Sequence, residues 1–136
     1  LEYGAAGVTR QPEGEARTAE QTISTAQELL DAGRPFHAHE VFEDAWKSAR
    51  GEHPNNDVAD LWKGLAQAAV AETHRLRGNP AGAQRLRERA GSLLAAYRAD
   101  PPYGLDLDGI CAWAALAEPG PMPPLRPASP AGAGEG

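Results

Sequence analysis

Two glycine–proline marks, Gly33-Arg34-Pro35 and Gly78-Asn79-Pro80, constrain this chain more than any other feature. Neither a helix nor a strand runs smoothly through them. Glycine suits the left-handed position just past a helix end, and proline suits the first turn of the next helix, where its missing N–H costs nothing. A third break, Pro101-Pro102, follows further on. The stretches between these marks repeat apolar residues every three or four positions, the period of an amphipathic helix.

The periodicity predicts five helices. Residues 18–32 present Ile23, Ala26, Leu29 and Leu30 on one face, and residues 36–49 present Ala38, Val41, Phe42, Ala45, Trp46 and Ala49 in one broad arc. Residues 50–56 read as a loop, with Asn56 or Asp57 as N-cap of a third helix over 57–77. That helix is apolar along Leu61, Trp62, Leu65, Ala69 and Leu76. Its other side carries Lys63, Gln67 and His74 among the small residues Gly64, Val70 and Ala71, which suits the middle of a bundle. A fourth helix over 81–98 packs through Leu86, Ala90, Leu93, Leu94 and Tyr97, and a short fifth near 106–117 through Leu107, Ile110, Trp113 and Leu116. Residues 1–17 mix glycine, proline and charge without periodicity and read as a flexible tail. Residues 118–136, rich in proline, glycine and alanine, read as a disordered one. With no repeat and no strand pattern, the expected fold is all-α: one compact bundle of about five helices over 18–117, large enough for a core without staples.

A net charge of −6 and a pI near 5.2 argue against a general affinity for nucleic acid or anionic membranes. Arg75, Arg77, Arg85, Arg87, Arg89 and Arg98 make the third and fourth helices locally basic, but without interleaved exposed aromatics they read as a solvated face. Cys111 is the single cysteine and reads as a small core residue, which fits a reducing compartment. No apolar run reaches the roughly 20 residues of a membrane span, and no basic stretch followed by an apolar one opens the chain at Leu1. A cytoplasmic protein is expected.

Chemistry concentrates in residues 36–46, where His39, Glu43 and Trp46 stand at i, i+4 and i+7 on one helical stripe. A histidine and a glutamate one turn apart can offer a nitrogen and a carboxylate to one divalent ion. Glu40 is the neighbouring candidate on the same helix, and Gln67 and His74 lie two turns apart on the third. Such ligands suit Zn, Mn, Fe or Ni. The same residues also admit a non-catalytic reading. Trp46 would be a core anchor whose indole N–H is taken by Glu43 or Gln67, and His39, Glu43, Trp46 and Gln67 would form a buried polar network that fixes helix register. The bundle would then serve as a structural module, or bind a protein partner or further copies of itself. Stronger enzyme signatures are missing. Glu43 stands where the zincin motif has its second histidine, no histidine has a glutamate three residues before it, and there is no phosphate loop, nucleophile elbow or Cys-x-x-Cys.

The order of motifs resembles domain-of-unknown-function family 309, small bacterial and archaeal helical proteins. The resemblance is carried by Ala32-Gly33-Arg34-Pro35-Phe36, Ala38-His39-Glu40-Val41, Glu43 and Trp46, then Gly64-Leu65-Ala66-Gln67-Ala68-Ala69, His74, Arg77-Gly78-Asn79, Gly82-Ala83 and Leu86, across roughly residues 20–97. It implies a His-x-x-x-Glu-x-x-(Trp/Tyr) pattern, met by His39, Glu43 and Trp46, with a suggested metal-binding role and no established reaction. The family commonly has an acidic residue where this chain has His37. On a helix His37 points about 160° away from His39, so it reads as an exposed substitution rather than a co-ligand.

Overall fold

The computed structural model describes residues 17–52 and 58–127. It contains five α-helices: α1 (Ala19–Asp31), α2 (Pro35–Glu52), α3 (Val58–Leu76), α4 (Pro80–Leu94) and α5 (Leu107–Ala114). The described residues form no strand. The flexible tail expected over 1–17, apart from Arg17, the Asn56/Asp57 cap and residues 128–136 of the expected disordered tail lie outside the described residues.

The helix ends follow from local chemistry. Thr18 opens α1 with a capping box: its hydroxyl accepts from the Gln21 N–H, and the Gln21 side chain accepts from the Thr18 N–H. α1 ends with Gly33 at φ +75°, where the Arg34 N–H donates to the Leu29 carbonyl. α3 ends in the same way with Gly78 at φ +76° and the Asn79 N–H on the His74 carbonyl. Asn79 then caps α4 and Asp106 caps α5, each accepting a backbone N–H three residues on. α2 runs three residues beyond the expected 49, and α4 stops at Leu94, followed by a 3-10 turn over Ala95–Tyr97.

Each helix packs on the next, and α3 lies between α2 and α4. Its small face explains how: Gly64 lets α4 approach so closely that a β-carbon there would sit 2.8 Å from a Leu94 methyl. The core gathers Ile23, Phe42, Leu61, Leu65, Leu94, Leu107 and Ile110. Leu76 and Leu116, expected on apolar faces, are exposed instead: Leu76 is the last residue of α3, and Leu116 lies beyond the end of α5. No helix among the described residues is long and apolar enough to cross a membrane.

The segment after α5 corrects the expectation of a disordered tail from residue 118. Over 118–127 the chain folds back as an ordered strap. The Trp113 indole N–H donates to the Gly120 carbonyl, the Met122 N–H to Glu72, and the Leu125 N–H to Gln27. The Leu125 carbonyl accepts from the Asp106 N–H, and Arg126 reaches both carboxylate oxygens of Glu20. Leu125 itself is completely buried. A proline-rich extended segment makes no backbone bonds of its own; these come from side chains and backbone up to 106 residues away in sequence.

Candidate functional site

α2 starts at Pro35 immediately after the glycine stop, so Phe36, His39 and Glu43 occupy successive turns of its first half. Helical spacing brings His39 Nε2 to 3.3 Å from Glu43 Oε2, with the histidine side chain 17% exposed and the glutamate 40% exposed. The other ring nitrogen, Nδ1, lies 3.3 Å from the Phe36 carbonyl oxygen. The Phe36 ring rests against the imidazole with centroids 5.1 Å apart, and 42% of Phe36 stays open to solvent.

This geometry poses a proton-counting problem. A neutral imidazole has one N–H and one lone pair. If Nδ1–H donates to the Phe36 carbonyl, Nε2 turns its lone pair toward a carboxylate oxygen. If Nε2–H donates to Glu43, Nδ1 turns its lone pair toward a carbonyl. Neither neutral tautomer satisfies both neighbours; the imidazolium does, and so does a cation seated between Nε2 and Oε2. Two bonds of about 2.0–2.1 Å at a tetrahedral angle hold their donor atoms about 3.3–3.4 Å apart, which is the spacing found here. A backbone carbonyl on Nδ1 is also the usual second contact of a metal-bound histidine, since it fixes Nε2 as the ligand. The residues present fit one nitrogen and one carboxylate ligand.

The remaining residues are placed differently. Glu40 is exposed on the adjoining stripe of α2. His74, at the far end of α3, has Nδ1 3.1 Å from the Asn79 side-chain amide and packs over Gly82 at the α3–α4 turn. Among the described residues no three His, Cys, Asp or Glu side chains gather as a metal-holding group. Trp46 packs at the edge of the core with the Lys63 ammonium 5.6 Å from its ring centre. Gln67 Oε1 is buried and accepts no hydrogen bond, so it takes no proton from the Trp46 indole. The four-residue buried network therefore does not form through that oxygen: the His39–Glu43 pair is half-exposed and Gln67 stands apart. His37 is exposed, as expected, with its ring edge-on to Phe36.

Two features were missed at the sequence level. Arg87, read as part of a solvated face, is buried: it donates to the Leu116 carbonyl and lies 6.0 Å from the Trp113 ring centre, with its Nε unpartnered. Phe42, Trp62 and Tyr103 stack in sequence, the last at φ +58°. These contacts join residues of different elements, Phe42 of α2 to Trp62 of α3 and on to Tyr103, and Arg87 of α4 to Trp113 of α5 and Leu116 beyond it, so they have no local signature. Cys111 is half-buried, and burial pushes its thiol pKa up, with Asp108 adding to the rise and Arg98 opposing it.

Comparison with known proteins bears out the resemblance over the part of the chain that holds this pair. Residues 23–86 match the family described as "Domain of unknown function (DUF309)". The chain is 40% identical over 72 residues to the "Uncharacterized protein YpuF" of Bacillus subtilis (strain 168), a match spanning 52% of this chain and 39% of that protein. No solved structure matches.

Proposed function

We propose that this chain binds a divalent metal ion through His39 Nε2 and the Glu43 carboxylate, a half-site on one helix face whose remaining positions are filled by water or by a partner. The observation that carries this reading is the pairing of two 3.3 Å contacts on one imidazole, an arrangement that a cation between His39 and Glu43 would satisfy. Zn, Mn, Fe and Ni all suit a nitrogen–carboxylate donor pair. A bound ion with open positions supplies Lewis acidity; the residues' part is to hold and orient it, with the Phe36 carbonyl fixing the ring. Among the described residues His74 does not gather with the pair, so on this reading His39 and Glu43 are the two described ligands, with Glu40 close enough in sequence to act through water.

A second reading, a non-enzymatic module that docks a protein partner or another copy through this edge of α2, is favoured by the exposed Phe36 ring lying on His39. A bacterial cytoplasmic setting agrees with the lone cysteine and with the Bacillus relative. The acidic chain argues against nucleic acid as partner.

The test is metal content of the untagged protein by elemental mass spectrometry, alongside His39→Ala and Glu43→Ala. Near-stoichiometric metal lost in both folded variants supports the site. Metal-free protein that gains no thermal stability from added Zn, Mn, Fe or Ni rejects it in favour of the docking module.

A further inference from the structure

We infer that the ion at His39 and Glu43 is shared between two copies of this chain, each supplying one nitrogen and one carboxylate across a two-fold axis. The inference rests on the metal reading above and names the partner that completes its site. A closed zinc site takes four protein ligands, and this pair offers two. Among the described residues no third His, Cys, Asp or Glu gathers with them. A two-fold axis doubles whatever lies on it. With the pair on the axis, one histidine and one glutamate become two of each, a full set of four ligands. A different protein would have to bring ligands of its own, whereas a second copy brings these.

The pair is open to a second copy. On α2, Phe36, Glu40, Glu43 and Lys47 fall on one stripe, with His39 along its edge, and none of the five is buried. The Phe36 ring, 42% exposed and resting on the imidazole, adds an apolar surface beside the ion that a second copy would cover. Charge makes the pairing conditional on the ion. Each chain carries a net charge of −6, and this part of α2 sets Glu40, Glu43 and Asp44 against Lys47, so two bare α2 edges repel. A dication held between two Glu43 carboxylates cancels both charges at the point of contact. Metal then acts as the switch between separate and paired chains.

The test titrates zinc chloride into the full chain, first stripped with EDTA and then freed of it, at about 50 µM protein. Mass is read by light scattering on gel filtration, and bound zinc by elemental mass spectrometry. The stripped protein should run at its chain mass of 14.3 kDa. Zinc should double that mass with half an ion bound per chain, and EDTA should reverse the change. His39→Ala and the size-conserving Glu43→Gln, each confirmed as folded by thermal melt, should stay monomeric with zinc. Phe36→Ala keeps both ligands and should weaken the dimer at least about threefold. His37→Ala and His74→Ala, which lie off the pair, should dimerise as the parent does. One ion bound per chain by a protein that stays monomeric overturns the inference and leaves the His39–Glu43 metal reading standing. A dimer that persists in EDTA or in Glu43→Gln overturns it as well. Protein that binds no zinc at all fails both readings.

Discussion

At the scale of single residues, the proposed role of His39 and Glu43 lies in the ion they would hold rather than in the stability they add. An i,i+4 pair this exposed contributes about 0.2–0.5 kcal/mol, so His39→Ala and Glu43→Ala should each shift the urea midpoint only slightly while abolishing metal binding. A loss of several kcal/mol in either variant would make the pair a structural element instead. Cys111 gives a pH prediction. Burial raises its thiol pKa, so at pH 8 a smaller fraction is thiolate than in free cysteine, and alkylation should be slower in the native protein than in urea. The rise of its rate with pH should also be displaced upward. A native rate profile matching that of free cysteine would contradict this. The His39–Glu43 contact was legible from the sequence because helix geometry alone sets an i,i+4 distance. The position of His74 was not: a stripe on a long central helix does not say which neighbour it meets, and the cap Asn79 claims that ring instead.

At the scale of elements, the helices were legible because their ends are written locally: Thr18 with Gln21, Gly33, Gly78, Asn79 and Asp106 each satisfy backbone groups within a few residues. The strap was not legible, since its composition is that of a disordered tail and its order comes from Gln27, Glu72 and Glu20 far away in sequence. Leu125→Ala should therefore cost about 2–5 kcal/mol, as for a leucine fully buried in a helix core, measurable by denaturant unfolding. A cost below about 0.5 kcal/mol would mean that the strap is not part of the fold. At the α3–α4 contact, Gly64→Ala would press its methyl against Leu94, and a loss of about 1–3 kcal/mol is expected in the same measurement.

At the scale of the molecule, the strap joins α1, α3 and the start of α5, so the fold closes on itself through its own last described residues. In hydrogen exchange the Leu125 and Met122 amides should open together with the core of α1 rather than fray separately, and faster independent exchange would contradict that closure. The α2 edge with His39 and Glu43 stands outside this closed circuit, so the proposed ion would be taken there without disturbing the core. The most direct test of that claim is long-range proton–nitrogen NMR of the His39 ring before and after one equivalent of Zn. The expected result is a His39 Nε2 resonance that moves on addition of metal, with the shift lost in Glu43→Ala. An unchanged His39 spectrum, or one that responds equally without Glu43, would contradict it.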